Sequence, residues 1–435
     1  MSSDTNTDTD DTNTETDLGL NWYVSSTPGV GGEIKTQPED FVVDEVSGFD
    51  YSDNSEGEYA VVEVRLTGYE THGFARDLSN ALGVSRERVS WAGTKDKNAV
   101  TTQFMTVKDV SRDEVETVSL DGDGAEIEYL GRSNRYISLG DLKGNRFEIR
   151  LRDPENPENL DAIDGEIDDF GGVPNLFGVQ RFGSKRPVTH KVGEHILRDD
   201  YESAVLEYVA EPYPDEPERT REARRRLKEN LNFKEALDYF PNYLGYERAM
   251  IHAVVEGDSY EEALESLPSN LRRLFVNAVQ SRLFNVILRE RYDEGMGFDE
   301  AYVGDVVCFA GDEIDGVRVP DTDSLQKVTE SNVETVNRHV ERGRAFVTVP
   351  LVGSETELSG GVQGEIETRV LEEYTLEKED FDRDDGYGSE GTRRAVLVST
   401  DIEYETFEDD IEFRFALPKG SYATVVLREY IDTEK

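Results

Sequence analysis

The chain has 435 residues, enough for two or three domains and a substantial buried core. Acidic residues outnumber basic ones 94 to 47, and the resulting net charge of −47 is spread along the chain rather than gathered in one tail. That charge argues against a simple electrostatic nucleic-acid binder, and an ordinary aromatic content of 9% argues against wholesale disorder.

The acid surplus reads as a solvated surface suited to a very salty cytoplasm. At 1 M salt the Debye length is about 3 Å, so self-repulsion is screened. Phosphate contacts also weaken there, so an RNA partner would be held by shape and base stacking and by any locally basic groove. A single cysteine, Cys308, lies in the apolar run DVVCFAG and reads as a buried structural thiol. One cysteine allows neither an internal disulfide nor a cysteine-based zinc site. With no signal peptide and no apolar run near about 18 residues, the expectation is a cytoplasmic protein with no membrane association.

In chain order, residues 1–20 open with MSSDTNTDTDDTNTETD, a Thr/Asp tail that cannot bury apolar surface and is expected to be disordered. FVVDEV (41–46) and VVEVRL (61–66) read as strands. Residues 71–82 read as a helix with Phe74, Leu78, Ala81 and Leu82 on one face, Thr71 as its cap and Gly83 just past its end. AVTTQFMTV (99–107) and RFEIRLR (146–152) are further strands, and the acidic, proline-bearing segment 153–170 reads as a linker or surface helix. From about residue 172 to 390 the pattern turns helical; in one segment Phe275, Val279, Leu283 and Ile287 recur at a spacing of four. KEDFDRDDGYGSEGT (378–392) reads as a flexible loop, after which strand patterns return in RRAVLVST and IEFRFALP. A β-rich start and finish around a helical middle suggests an inserted domain.

Several catalytic signatures are missing: no phosphate-binding loop of the P-loop type, no HExxH and no GxSxG. His190 and His195 are five residues apart, poor spacing for shared metal ligation, and read as polar surface residues. Carboxylate chemistry remains. In WAGTKDKNAVTTQ (91–103), Asp96 stands between Lys95 and Lys97 on a loop that feeds a strand. An aspartate among cations keeps its charge and can serve as nucleophile or general base. In an extended segment the two lysines point away from it, where they can meet phosphates. From the residues alone, an ordinary polar turn remains the simpler reading. Two basic stretches stand out in so acidic a chain. FGVQRFGSKRPVTHK sets Arg181, Lys185, Arg186 and Lys191 beside Phe177 and Phe182, and RTREARRRLK (219–228) reads as a basic helix. Together they hint at a nucleic-acid surface, the second reading equally well as a solvated face with Glu partners.

WAGTKDKNAVTTQ closely resembles the signature of the tRNA pseudouridine synthase D (TruD) family. KTQPEDFVVDEV, SNRYISLGDLKGNRFEIRLR, GVPNLFGVQRFG, NAVQSRLFNVILRER and LPKGSYATVVLREYI resemble further blocks of that family in its order, from about residue 32 to 431. With the charge pattern, the chain resembles a halophilic archaeal member. The resemblance implies an α/β (α+β) fold: a pseudouridine synthase mixed-sheet catalytic core, residues 21–171 and 391–435, carrying an inserted α/β TRUD domain, residues 172–390, with RNA bound in the cleft between them. It implies isomerisation of uridine to pseudouridine in tRNA, most often at position 13, with tRNA as partner and without cofactor or metal; a monomer is favoured. It assigns Asp96 as the catalytic carboxylate, Lys35 and Phe41 as pocket residues, Phe147 as the ring that stacks on the base and Asn145 as its hydrogen-bonding neighbour. Tyr422 stands where bacterial members carry phenylalanine. Lys95, Lys97, Arg181, Lys185, Arg186 and Lys191 are the RNA-contact candidates. The competing readings are an RNA-binding module with an inert aspartate, a synthase acting on other RNA sites, and a glycosidase, which would need a second carboxylate that the sequence does not single out.

Overall fold

A computed structural model describes residues 14–52, 56–120, 124–398, 400–407, 409–433 and 435. The chain forms two compact units: Tyr23–Val173, Phe309–Asp321 and Leu397–Lys435 make one, and Met1–Trp22, Pro174–Cys308 and Thr322–Val396 the other.

The first unit is built on a nine-stranded mixed sheet. Its strands are β1 (Glu33–Ile34), β2 (Phe41–Ser47), β3 (Tyr59–Thr67), β4 (Val89–Trp91), β5 (Val100–Lys108), β6 (Ala125–Ser133), β7 (Leu142–Arg152), β8 (Glu403–Thr406) and β9 (Asp410–Pro418). The order across the sheet is β8-β9-β7-β2-β5-β3-β6, with β1 pairing β7 and β4 pairing β5. Only β2 and β5 run parallel, Val43 lying beside Thr101; the other pairs are antiparallel, as between Phe147 and both Val43 and Phe415. The alternation predicted for β3 is realised. Val62, Val64 and Leu66 face α1 (Thr71–Ala81) and pack on Phe74, Ala75 and Leu78, while Val61 faces the opposite layer with Phe49, Ala92 and Ile137. Leu82 ends α1 and Gly83 follows at a φ of 67°, the left-handed position glycine takes without strain. The expected cap is corrected: Glu70 is the N-cap of α1, Thr71 is the helix's first residue, and its hydroxyl accepts the backbone N–H of Lys95 at 3.0 Å. The acidic segment after β7 forms α2 (Leu160–Phe170), and the chain closes with α3 (Ala423–Ile431), whose Tyr430 packs edge-on against Phe413 of β9 and donates to Asp164 of α2 at 2.7 Å.

Helices dominate the second unit. In its long helix, Ser269–Asp293, the predicted stripe of Phe275, Val279, Leu283 and Ile287 is buried, as is Cys308 elsewhere in the unit. Here the tail expectation is corrected over residues 14–20; residues 1–13 lie outside the described ones. Residues 14–17 form a helical turn, and Leu18 and Leu20 are buried. Arg282 of the long helix donates to the backbone carbonyl of Asp17 at 2.7 Å and pairs with its carboxylate. His190 is corrected with it. It is fully buried rather than on the surface, its ring edge-on to Phe182 and its Nε2 3.1 Å from Asp17. The loop 378–392 is likewise anchored, by buried Phe381 and Tyr387. Among the described residues, no helix is long and apolar enough to cross a membrane.

Candidate active site

The loop that carries Asp96 leaves the sheet at a gap. One edge of β5 pairs with β2 at residues 100–102 and with β4 at residues 105–107, leaving Gln103 and Phe104 between the two partners. Chain 92–99 passes out there. Below it, strand alternation sets Phe41, Val43 and Glu45 of β2 on the same sheet face as Asn145, Phe147 and Ile149 of β7 and Phe415 of β9. α1 covers one end of that face and α3 the other.

Two ion pairs hold the loop. Lys95 turns inward: its ammonium donates to Glu45 Oε2 and to Asn145 Oδ1, both at 2.9 Å, and its side chain is 8% exposed against 1% for Glu45. The second Glu45 oxygen accepts the N–H of Phe104 at 3.4 Å, in the gap. Burial pushes the Glu45 carboxyl above the usual range, and the Lys95 charge and the Phe104 N–H act against that push. Gly93 leaves room for the pair, since a Cβ there would stand 3.3 Å from the Lys95 ammonium. Gly144, beside Asn145, is required by close packing of strands; a Cβ there would lie 2.1 Å from the carbonyl oxygen of Leu417.

Asp96 turns the other way and keeps a third of its side chain exposed. Its Oδ2 is 2.8 Å from the Lys35 ammonium and its Oδ1 accepts the N–H of Asn98 at 3.0 Å. Partial burial works to raise its pKa, but the Asn98 N–H and the charges of Lys35 and Lys97 outweigh it and hold the carboxyl below its ordinary value. Lys35 reaches it from a left-handed backbone, φ 60°, an uncommon conformation for a residue with a side chain. The same ammonium sits 4.2 Å over the ring of Phe41. Phe41 meets Phe147 edge-on at 6.2 Å, and Phe147 stacks on Phe415 at 5.4 Å. The result is an ionised carboxylate at the rim of an aromatic wall, with a cation beside it and a polar floor of Glu45, Lys95 and Asn145.

The structure brings Lys35, Phe41, Asp96, Asn145 and Phe147 together. Phe147 is 9% exposed and packed between two rings, so its expected stacking surface is shared with Phe41 and Phe415. Tyr422 stands at the N-terminal cap of α3, half-buried, four residues beyond Pro418, which pairs with Gly144. Lys95 is corrected as a phosphate contact, because Glu45 and Asn145 hold its ammonium out of solvent, whereas Lys97 is exposed. In the second unit Lys185 is exposed, Arg181 donates to the Ser281 hydroxyl at 3.0 Å and Lys191 lies by Tyr213. Arg186 is corrected too. Its side chain is 14% exposed and lies against Glu216, Glu247 and the Tyr208 carbonyl. Arg224, from the basic helix Glu218–Asn230, is buried in the same network, donating to Glu216 at 2.9 Å and Glu247 at 2.7 Å. Other arginines of that helix pair with glutamates three residues away, Arg221 with Glu218 and Arg225 with Glu222.

Sequence reading missed Glu45, Phe415 and Thr71. A signal for Glu45 existed: the period of two in FVVDEV places a carboxylate on the same face as Phe41 and Val43, where a charge needs a partner. The roles of Phe415 and Thr71 depend on strand and helix neighbours that are remote in sequence.

Comparison with known proteins agrees with this architecture. "Probable tRNA pseudouridine synthase D" of Natronomonas pharaonis is 48% identical over 431 residues, covering 96% of this chain and 97% of the relative. The protein of the same description from Halobacterium salinarum is 47% identical over 423 residues, covering 95% and 96%. The crystal structure of a tRNA pseudouridine synthase D homologue from Methanosarcina mazei superposes with a TM-score of 0.81 at 42% identity, covering 96% of this chain and 98% of that one. The profile of the family described as tRNA pseudouridine synthase D matches residues 17–430, a span that takes in Lys35, Asp96, Asn145, Phe147 and Phe415, and the chain belongs to the tRNA pseudouridine synthase D (TruD) family.

Proposed function

We propose that the protein is a cytoplasmic tRNA pseudouridine synthase that isomerises uridine at position 13, with Asp96 as its catalytic carboxylate. Family membership makes it an isomerase acting on tRNA; the position and the residue roles are our reading. The observation that carries it is the environment of Asp96: ionised, partly open to solvent, and fixed from two sides by Lys35 and the Asn98 N–H. Such a carboxylate is ready to attack or to take a proton without first being deprotonated. The reaction breaks the N1–C1′ bond and forms C5–C1′; the C5 proton is lost, N1 regains one, and no atom or electron is gained overall. No redox step is involved.

The target base has to leave its stack, at a cost of a few kcal/mol. The Phe41–Phe147–Phe415 cluster supports the reading because it places aromatic rings beside the carboxylate, packed on one another and only 5%, 9% and 6% exposed, so a flipped base would have to displace one ring from its neighbour to stack on it. Lys97 and Lys185, exposed cations in an acidic chain, are proposed phosphate contacts.

The test is incubation of the purified protein, in high salt, with unmodified tRNA transcripts, followed by chemical modification and primer extension. A stop specific to pseudouridine at position 13 is expected. A stop elsewhere would move the target site, and tRNA binding without any modified uridine would make the protein a binding module.

A further inference from the structure

We propose that Lys95 is a positioning residue. It fixes the amide of Asn145 so that its NH2 faces the substrate as a donor to a carbonyl oxygen of the uracil. This rests on the function proposed above.

A lysine ammonium carries three donors and no acceptor. With the Lys95 ammonium 2.9 Å from the Asn145 side chain, the amide end that faces it has to be the oxygen; the flipped amide would set N–H against N–H. Lys95 is itself immobilised, by Glu45 at 2.9 Å, by its own N–H on Thr71 and by burial of the pair. Asn145 Nδ2 is left with no partner among the described residues. Asn145 lies two residues before Phe147 on β7, so both point from the same sheet face and the donor stands beside the aromatic wall.

Uracil presents carbonyl oxygens at C2 and C4. Cytosine presents an amine at C4. A donor locked in place donates to a carbonyl oxygen of uracil and, at C4, opposes the amine of cytosine, and a site built around such a donor loses rate when the matching acceptor is weakened. On this view the buried Glu45–Lys95 pair sets the polarity of a recognition group, and so selects the base, without itself touching it.

The experiment uses the full protein and tRNA carrying 2-thiouridine or 4-thiouridine at the target position, since sulfur is the weaker acceptor. With the wild type, one of the two is expected to slow pseudouridine formation about 3- to 10-fold, the worth of one hydrogen bond. The Lys95→Met/Glu45→Leu double variant removes both charges together, so neither is left buried alone. It is expected to melt as a folded protein and bind tRNA normally, yet to react more slowly with uridine and to show no further thio effect. Should it fail to fold, Asn145→Ala serves instead and is expected to lose the same thio effect. A wild type that works, with a thio effect that persists undiminished in these variants, overturns this inference alone. A wild type that makes no pseudouridine overturns the functional reading and this inference with it.

Discussion

The ammonium of Lys35 stands 2.8 Å from Oδ2 of Asp96 and 4.2 Å above the ring of Phe41. One cation thus joins the proposed catalytic carboxylate to the aromatic wall, from a backbone at φ 60° that aims its side chain across the site. Because Asp96 is already ionised, the reading makes its charge, rather than its bulk or its hydrogen bonds, the essential property.

Asp96→Asn preserves shape and the contact with Asn98 but removes the charge. Pseudouridine formation is expected to fall by roughly a thousandfold or more, with tRNA affinity retained. Single-turnover assays beside filter binding check this, and full activity in the variant would remove Asp96 from the mechanism.

Lys35→Met tests the pH dependence. With the lysine gone, burial of Asp96 is opposed only by the Asn98 N–H and Lys97, so its pKa rises. The acid limb of the pH–rate profile is expected to move to higher pH. The stability sign follows from the depressed folded pKa. The wild-type contribution is present above the unfolded aspartate value of about 3.9 and is lost as pH falls through the lower folded value. The variant lacks part of that contribution at neutral pH, and so its acid unfolding profile should flatten in this window.

Phe415 is 6% exposed and stacked on Phe147. Phe415→Ala should cost about 3–5 kcal/mol of unfolding free energy and slow the reaction by loosening Phe147, while Phe415→Leu should cost clearly less. Denaturant titration and kcat measured on the same preparations separate the two effects.

Arg224 of the second unit is 1% exposed, and Glu216 and Glu247 are its carboxylate partners. Arg224→Met leaves those two acids with Arg186 as their only cation among the described residues and should destabilise the fold by about 3–5 kcal/mol, the usual consequence of removing one partner from a buried ionic network. A thermal melt of the variant in high salt provides the measurement.

The net charge of −47 makes stability depend on salt. Lowering the concentration from about 1 M to 0.1 M lengthens the Debye length from about 3 to about 10 Å and restores repulsion among the surface carboxylates. The melting temperature should fall steadily along that series; an unchanged value would mean that the acids are compensated within the fold.

Much of the fold was legible because its signals are local. The alternation of Val62, Val64 and Leu66, the four-residue spacing of Phe275, Val279, Leu283 and Ile287, and the glycine after α1 each state which face is buried, or where an element ends, without reference to the rest of the chain. The short strands β4 and β8 and the helical turn at residues 14–17 carry too few residues for a period to appear; the two strands form by pairing with the strands that follow them, and the turn is held by the long helix 265 residues away.

For the site, the chemistry available can be read from local residues: an aspartate between two lysines on a loop, with aromatic residues and an asparagine in strands. The sequence could not say which lysine serves the aspartate. The adjacent Lys95 and Lys97 were expected to point away from it toward phosphates; instead Lys95 turns down to Glu45 and Asn145, and the cation on Asp96 comes from Lys35, 61 residues earlier in the chain. Arg186 and Arg224 teach the same lesson: basic residues that read as an RNA surface are held inside by glutamates that the helices bring to them. Charge and hydropathy are properties of residues and are written in the sequence. Which charges meet, and which are shielded from water, depends on distances of a few ångströms between segments far apart in the chain, and only the tertiary structure decides those.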